Sequence, residues 1–390
     1  MISRREVITR IGAAAGVAVL TQRNGLAQAP APSTGSTPAR REPPSVISNP
    51  PRDFTGPVTY PDPDIITLDP AFNSLRVGNT PIQRLWTGGM WCEGPAWNGQ
   101  GQYLVWSDIP NNRQLRWMQD DGRVTVFRQP SGNSNGNTFD HQGRQLSCEH
   151  SGRRVVRYEH DGSITVIADA YQGKRLNSPN DIACHTDGSY WFTDPPYGGQ
   201  IYEGMPDAAG GPSNQQGRLN AKAGQPAGSG VLKRELSNNI SRVDPGGRVD
   251  LVINEEQFGG APNGITFSPD YKRLYVVSRG MVFTFDVGAG HQVSNQKQFA
   301  DFMVDGIRCG TDGIRTDVFG NVWASSNAGL NLGYSGVTVW NPDGKLIGRI
   351  RLPEVCANVA FGGPKRNRLF MAAGQSLYAV YTNTQGSSPG

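Results

Sequence analysis

Short apolar segments recur along the chain, and each is bounded by polar residues or glycine. In "PNGITFSPDYKRLYVVS" (residues 262–278), a polar residue and a glycine precede an apolar run, a polar turn follows, and a second apolar run ends the unit. Alternation of this kind predicts β-strands joined by turns. Beyond the N-terminus no apolar period of 3.6 residues is sustained, which argues against long helices.

Six stretches share this pattern: "CEGPAWNGQGQYLVWSD", "SNGNTFDHQGRQLSCEH", "PNDIACHTDGSYWFTDP", "PNGITFSPDYKRLYVVS", "TDGIRTDVFGNVWASSN" and "ANVAFGGPKRNRLFMAA". The leading polar residues are Glu93, Asn135, Asn180, Asn263, Asp312 and Asn358, at separations of 42, 45, 83, 49 and 46. A repeat in the forties with about four strands per unit is typical of a β-propeller. The sequence therefore predicts an all-β, six-bladed β-propeller over residues 58–390.

Further hairpins with Asp-Gly or Gly-Gly turns fill the repeats, as in "RQLRWMQDDGRVTVF" and "GVTVWNPDGKLIGRI". We expect "DIITLDPAFNSLRV" and "PIQRLWTGG" to complete the ring beside "SLYAVYT" near the C-terminus. Closing the ring from both ends removes free sheet edges.

The separation of 83 corresponds to one blade plus an insertion. Residues 196–237 are rich in Gly, Asn and Gln and poor in apolar residues, and they leave the third blade between its second and third strands. A connection this long is usually functional or disordered, so we expect a lid or rim at the end of the propeller where the leading residues meet.

The N-terminus resembles a targeting signal rather than part of the fold. Arg4 and Arg5 precede a weakly apolar run, and Ala27 and Ala29 occupy small-residue cleavage positions. We expect residues 1–29 to direct export through the twin-arginine machinery, with cleavage near Ala29 and a periplasmic product. The apolar run is too short to span a bilayer. Residues 30–57 are rich in Pro and Ser and are interpreted as a linker or a surface strap.

Composition fits this interpretation. The 390 residues include 50 Gly and 28 Pro, and only 18% are charged. Loss of residues 1–29 removes four Arg and one Glu, so the formal charge falls from +4 to +1 and gives no reason to expect nucleic-acid binding. The five cysteines (Cys92, Cys148, Cys184, Cys309 and Cys356) are widely spaced and are expected to be buried free thiols.

The leading residues suggest a metal centre. In a propeller the innermost strand of each blade lines the channel, so residues that begin these strands meet at one mouth. Two carboxylates and four amides around one axis suit a hard cation such as Ca²⁺. Asn and Asp also cap turns at strand starts, but that alternative does not explain Glu93.

The motifs "EGPAW", "LNSPNDIACHTDGSYWFTDPPYG", "PNGITFSPD" and "DGIRTDVFGNVW" resemble the gluconolactonase/regucalcin-like (senescence-marker-protein-like) propellers over roughly residues 80–380. Diisopropyl fluorophosphatase and paraoxonase are more distant relatives of that family. The resemblance implies a divalent ion, most often Ca²⁺, with Zn²⁺, Mn²⁺ or Mg²⁺ as alternatives. It maps the metal ligands to Glu93, Asn180, Asn263 and Asp312, and it implies hydrolysis of lactones, typically sugar lactones.

The sequence departs from this family at one position that bears on the substrate. Regucalcin-like members have an arginine two residues before the asparagine matched by Asn180, and Ser178 stands there. Four other residues are candidate substrate contacts: Asn135, Asp194, Tyr197 and Asn358. Asp194 and Tyr197 are equally compatible with a role in shaping the turn.

Lactone hydrolysis needs a group that accepts a proton from the attacking water. Asp312 is one candidate, although metal ligation makes a carboxylate a weaker base. His150 is the other, since it is predicted at the end of a second strand, where Asp108 and Asp194 fall in neighbouring blades; an ordinary loop histidine is the alternative. The remaining histidines (His141, His160, His185 and His291) fall in turns and are expected to be solvated.

Two other functions are compatible with the same pattern. A metal centre that polarises a carbonyl group can also polarise a phosphoryl group, so a phosphotriesterase or general esterase is one alternative. A non-catalytic propeller that binds a ligand and holds a structural Ca²⁺ is the other. The two carboxylates favour catalysis, because a scaffold needs no charge at the channel.

Overall fold

The structure of the protein is a computed structural model that describes residues 54–56, 58, 60–199, 234–329, 331 and 333–389. The predicted signal segment 1–29, nearly all of the linker 30–57 and most of the insertion 196–237 lie outside the described residues. The predictions made for these segments therefore stay predictions.

The described residues form six antiparallel blades, and the inner strands contact one another in a closed ring. The strands of each blade are given from the inner strand outward. Blade 1 consists of Cys92–Asn98, Tyr103–Asp108, Arg113–Met118 and Val124–Arg128. Blade 2 consists of Ser134–Phe139, Gln145–Glu149, Arg154–Tyr158 and Ile164–Ala168, and blade 3 consists of Ile182–Cys184, Tyr190–Asp194, Asn239–Val243 and Val249–Ile253. Blade 4 is Pro262–Phe267, Arg273–Ser278, Met281–Val287 and Val293–Gln298; blade 5 begins with Ile314–Thr316, Val322–Ser326, Gly336–Trp340 and Leu346–Arg351; blade 6 begins with Cys356–Gly362, Arg368–Ala373 and Ser376–Tyr381. The predicted six-bladed propeller is confirmed.

Both ends of the chain contribute to the last two blades. Gln83–Thr87 pairs with Ser376–Tyr381 and becomes the outer strand of blade 6, as predicted. Ile65–Thr67 pairs instead with Leu346–Arg351 and adds a fifth strand to blade 5. The expectation that both N-terminal segments complete the sixth blade is therefore wrong for the first of them.

Other elements are short. The described residues contain one α-helical turn, Glu255–Phe258, and the 3₁₀ turns Pro70–Ser74, Tyr197–Gly199 and Ala289–His291. Two small hairpins pair Ala170–Tyr171 with Lys174–Arg175 and Met303–Val304 with Ile307–Arg308. None of the described helices has the length and apolar character needed to cross a membrane.

Asp-Gly turns form the outer hairpins as predicted. Gly122 and Gly162 have φ angles of 70° and 87°, a left-handed conformation that glycine adopts without steric cost. The insertion falls between Tyr190–Asp194 and Asn239–Val243, which pair directly, so blade 3 is complete without it.

Apolar side chains fill the spaces between blades. Trp97 of blade 1 stacks on Phe370 of blade 6 with ring centroids 5.8 Å apart, and Trp191 of blade 3 meets Phe267 of blade 4 edge to face at 5.3 Å. All five cysteines are buried and free, as predicted. Because the apolar residues pack between blades, the polar residues that begin the inner strands are left for the channel.

Candidate metal centre and active site

Glycine follows the leading residue in four of the six repeats because neighbouring inner strands approach closely there. A Cβ atom on Gly94 would lie 2.0 Å from the carbonyl oxygen of Asn135, and one on Gly264 would lie 2.3 Å from that of Asp312. The glycines of the two other repeats are equally crowded by the following blade. The missing side chains let the blades converge, which brings the leading residues together at one mouth of the channel.

Glu93 is buried at this mouth. Its Oε2 accepts hydrogen bonds from its neighbour Gly94 N at 2.7 Å and from Asn358 Nδ2 at 3.1 Å. Burial raises the pKa of Glu93 well above its ordinary value, and the charge of Asp312 raises it further. The hydrogen bonds offset only part of this effect.

Asp312 begins the repeat that forms blade 5, and its carboxyl group lies next to that of Glu93 from blade 1. Burial raises the pKa of Asp312 to about 7, the charge of Asp181 adds to the increase, and hydrogen bonds from Asn263 and Glu93 oppose it. Without a cation, the Glu93–Asp312 pair therefore retains a proton near neutral pH. A divalent cation would replace that proton and allow both groups to ionise.

The donor set fits a hard cation. Glu93 and Asp312 would supply carboxylate oxygens to such an ion, and Asn180 and Asn263, which begin the third and fourth repeats, would supply amide oxygens. Oxygen donors with two negative charges are what Ca²⁺ prefers, whereas the softer transition metals favour nitrogen and sulfur. These are the four residues that the resemblance implies.

One ion pair in the channel was missed by the sequence analysis. Arg315 Nη1 lies 3.3 Å from Asp181 Oδ2, and both side chains are buried. Asp181 follows Asn180 and takes the place that glycine occupies in four other repeats. That charged exception was a signal in the sequence.

His150 lies beside the leading residue of its own blade. It is buried, and its Nε2 is 3.3 Å from Asn135 Nδ2. With the amide in this orientation Asn135 donates, so Nε2 carries the lone pair. The Nε2 lone pair of His150 therefore faces Asn135, the leading residue of blade 2, which is not one of the four implied metal ligands.

The alignment of His150 with Asp108 is off by one residue. Asp108 pairs with Cys92 and Glu149 pairs with Ser134, and each partner directly precedes a leading residue. The equivalent of Asp108 is thus Glu149, which binds Arg154 at 2.6 Å. His150 belongs to the loop beyond the strand.

Two predicted substrate contacts have other partners. Asn358 is buried, donates to Glu93, and accepts from its neighbour Val359 N at 2.8 Å, so both ends of its amide are engaged. Asp194 is fully buried, and its Oδ2 accepts from Asn177 N at 2.8 Å. Asn358 therefore orients Glu93, and Asp194 shapes the loop before Asn180, which was the alternative left open for it.

Ser178 is buried and holds the turn that carries Tyr197. Ser178 Oγ donates to Pro195 O at 2.7 Å and accepts from Gly198 N at 2.9 Å, which fixes the turn that carries Tyr197. The Tyr197 hydroxyl donates to Ala261 O at 3.4 Å. Burial raises the pKa of Tyr197, and the charge of Asp312, which is close enough to interact with the hydroxyl group, raises it further.

Two of the four turn histidines are not simply solvated. His141 and His160 are exposed, as expected. His185 and His291 instead both contact Asp187, at 2.8 Å and 2.9 Å, at the end of the propeller away from the mouth. The expectation of solvation is wrong for this pair.

Comparison with known sequences gives a consistent match. Residues 91–375 match the family described as SMP-30/Gluconolactonase/LRE-like region. A gluconolactonase of Zymomonas mobilis is 27% identical over 346 residues, which cover 83% of this chain and 87% of that protein. The pentonolactonase XacC of Haloferax volcanii is 25% identical over 293 residues, which cover 72% and 80%.

Solved structures of similar proteins agree with the match to this family. A gluconolactonase of Xanthomonas campestris is 30% identical with a TM-score of 0.68, and the match covers 84% of this chain and 97% of that one. Regucalcin of Agrobacterium tumefaciens, a calcium-binding protein, is 19% identical with a TM-score of 0.58 over 78% and 95% of the two chains. The second likeness is one of fold alone.

Proposed function

This chain belongs to the SMP-30/gluconolactonase/LRE-like family, and on that premise we propose that it is a lactonase that hydrolyses a sugar lactone at the mouth of its channel. The observation that carries the proposal is the adjacent pair of carboxyl groups Glu93 and Asp312, whose pKa values are raised by burial and further by neighbouring carboxylates. A propeller that only binds a partner has no need of such a pair.

The proposed centre holds one divalent cation, preferentially Ca²⁺, on Glu93, Asn180, Asn263 and Asp312. Such an ion, when bound, polarises the lactone carbonyl and stabilises the negative charge that develops on its oxygen. Asn358 keeps the Glu93 carboxylate turned toward the centre through its 3.1 Å hydrogen bond.

The remaining residues bind the substrate and move a proton. His150 Nε2 accepts the proton of the attacking water once that water replaces the long 3.3 Å hydrogen bond from Asn135, which orients the imidazole before the substrate binds. Tyr197, on the turn held by Ser178, bounds the site on the side of blade 3 and excludes water from the lactone ring.

The test is lactone hydrolysis with and without chelator, on glucono-1,5-lactone and a pentonolactone, with Ca²⁺, Mg²⁺, Mn²⁺ and Zn²⁺ added back separately. We expect turnover to disappear in chelator and to return best with Ca²⁺. Asp161→Asn, which removes an exposed turn carboxylate in blade 2, is the matched control for Asp312→Asn.

Other results of this assay would contradict metal dependence or favour one of the alternative functions. Full turnover in chelator would contradict the metal-dependent step but not the lactonase activity. Faster hydrolysis of a simple ester or a phosphotriester would favour the esterase alternative. Tight Ca²⁺ binding without hydrolysis of any substrate would favour the non-catalytic propeller.

We also propose that the protein is exported in a folded state by the twin-arginine machinery and cut near Ala29. The support is the pair Arg4-Arg5 and the small residues Ala27 and Ala29. Cell fractionation and N-terminal mass determination test this. An intact N-terminus on the periplasmic protein, or unchanged export of Arg4→Lys/Arg5→Lys, would contradict it.

A further inference from the structure

Three side chains with metal-binding chemistry meet at the end of the propeller opposite the proposed active site. His185 and Asp187 lie in the turn between the first two strands of blade 3, and His291 lies in the turn between the last two strands of blade 4. Inner strands run away from the mouth and third strands run in the same direction, so both turns are at the far end of the channel.

The three groups are already close to a coordination geometry. His185 Nδ1 lies 2.8 Å from Asp187 Oδ1, and His291 Nε2 lies 2.9 Å from Asp187 Oδ2. One ligand atom from each residue falls within 4.8 Å of the others. In a tetrahedral zinc site with bonds of about 2.0–2.1 Å, ligand atoms are roughly 3.3 Å apart. Only small side-chain movements separate the two arrangements.

Both imidazole rings are held in place. The His185 ring packs edge to face against Phe267 at 5.2 Å and Tyr271 at 5.1 Å. Burial lowers the pKa of His185 in spite of its carboxylate neighbour, which favours the neutral form that binds metal. His291 has a φ of 62°, a left-handed conformation that is costly for a residue with a side chain.

Hydrogen bonds behind the ligands orient the carboxylate. Ser189 donates to Asp187 Oδ1 from its backbone N at 2.9 Å and from its hydroxyl at 2.7 Å. Trp191 Nε1 in turn donates to Ser189 Oγ at 3.1 Å. Outer partners of this kind are what metal-ligating side chains require.

One cation competes for the same carboxylate. Arg242 Nη2 lies 3.0 Å from Asp187 Oδ2, while Arg242 Nη1 lies 3.3 Å from Asp250 Oδ2. Arg242 therefore has a second carboxylate to pair with when a metal ion binds Asp187. A cavity of about 430 Å³, lined in part by Arg242, Asp250 and His291, borders the cluster on the His291 side and leaves room for further ligands.

We propose that His185, Asp187 and His291 form a second metal site, for Zn²⁺ or a related ion such as Co²⁺ or Ni²⁺, which links blade 3 to blade 4. Two imidazole nitrogens and one carboxylate oxygen suit these ions, whereas the centre at the mouth offers oxygen alone. Three protein ligands leave at least one position open. The site is independent of the lactonase proposal, because it shares no residue with the mouth.

The test is calorimetric titration of the full chain with Zn²⁺ in excess Ca²⁺, followed by the visible spectrum with Co²⁺. We expect one Zn²⁺ to bind that His291→Ala and Asp187→Asn weaken by at least the roughly 10–100-fold that loss of an outer partner costs. His160→Ala, which removes an exposed histidine elsewhere, should bind like the unaltered protein. Glu93→Gln should keep this Zn²⁺ site.

Arg242→Gln should change Zn²⁺ affinity in the opposite direction. Because it removes the competing cation, it should tighten Zn²⁺ binding severalfold. Circular dichroism checks that each variant is folded, and His291→Gln serves if the alanine variant is not. Equal Zn²⁺ affinity in His291→Ala and His160→Ala would overturn the proposal. So would loss of all Zn²⁺ binding in Glu93→Gln, which would place the ion at the mouth.

Discussion

Arg315 Nη1 lies 3.3 Å from Asp181 Oδ2, and this buried ion pair joins blade 5 to blade 3 inside the channel. The charge of Asp181 also raises the pKa values of Glu93 and Asp312. Arg315 is thus the counter-charge of Asp181, the carboxylate that acts on both members of the Glu93–Asp312 pair. The ion pair supports the fold by linking these two blades across the channel.

Removal of Arg315 alone should be strongly destabilising. Arg315→Met leaves Asp181 buried without a counter-charge, and breaking a buried pair in this way costs about 3–5 kcal/mol. Urea denaturation in chelator measures the effect. The double variant Asp181→Asn/Arg315→Met should recover most of the loss, and Arg248→Met, at an exposed arginine in blade 3, should cost little. A loss for Arg315→Met no larger than that control would show that the pair is not important for stability.

Charge removal at the centre should abolish metal binding and turnover together. Glu93→Gln or Asp312→Asn leaves one carboxylate for a divalent cation, and both affinity and activity depend on that charge. Calorimetry with Ca²⁺ and a lactone assay measure the two effects. Asn135→Ala should leave Ca²⁺ affinity nearly unchanged, because that amide contacts His150 rather than the carboxylates. If both charge-removal variants bind Ca²⁺ normally, the ligand assignment is wrong.

The metal-free protein should lose stability as pH rises from about 4 to about 7. Asp312 has a pKa near 7 when folded, against about 3.9 for an unfolded aspartate, so the folded state holds a proton that the unfolded state releases. The free energy of unfolding then falls by up to about 1.4 kcal/mol per pH unit for this proton, and Glu93 adds to the slope. Urea titrations across this range, in chelator, measure it.

Calcium distinguishes the pH dependence of stability due to Asp312 from that due to Asp194, which has the same sign. Asp194 also has a pKa of about 7, from burial, but it lies behind the loop before Asn180 and not at the centre. Bound Ca²⁺ favours ionised Asp312 and should remove that part of the slope, whereas the part due to Asp194 remains. Asp312→Asn should remove the contribution of Asp312 and leave a smaller slope that calcium no longer changes. A slope that calcium does not change would argue against carboxylate ligation.

Ser178 should act on the substrate through Tyr197. Ser178→Ala removes both hydrogen bonds that hold the turn, so KM for the lactone should rise severalfold while Ca²⁺ affinity is unchanged. Tyr197→Phe keeps the ring and should change KM less than Tyr197→Ala. Ser163→Ala, at an exposed turn in blade 2, is the control. Identical KM values for all four variants would remove this turn from the substrate site.

The sequence predicts the blades well because each is a local unit. The turn glycines and the spacing of the leading residues are properties of one repeat. The need for glycine at positions 94 and 264 comes from contact with the adjacent blade only. The fifth strand of blade 5, Ile65–Thr67, was assigned to the wrong blade because both outer positions lie near the closing point of the ring and a short apolar run fits either.

Contacts across the ring were harder to predict. Asp181 and Arg315 are 134 positions apart, and neither belongs to the set of leading residues. His185 and His291 meet only because two turns from different blades lie side by side. For His150 the error was one of register: the strand ends at Glu149, and a shift of one residue changes which side chain faces the blade interior.

His150 is the candidate acceptor of the proton from the attacking water. His150 is buried, contacts Asn135 at 3.3 Å, and lies next to Gly198, where an added Cβ would be 3.1 Å from the His150 Cβ. If it accepts the proton of water, His150→Ala or His150→Gln should lower kcat by roughly 10²–10⁴-fold with Ca²⁺ affinity intact. Stopped-flow lactone hydrolysis and calorimetry measure the two quantities.

Added imidazole distinguishes chemistry from packing. It should restore part of kcat to His150→Ala, because the small side chain leaves space for a free base, and it should do nothing for Asn358→Ala, which acts on Glu93. Asn135→Ala should lower kcat less than either His150 variant, since it loosens the imidazole without removing it. Near-normal turnover in His150→Gln would show that His150 is not the acceptor and would instead favour Asp312, the other candidate from the sequence.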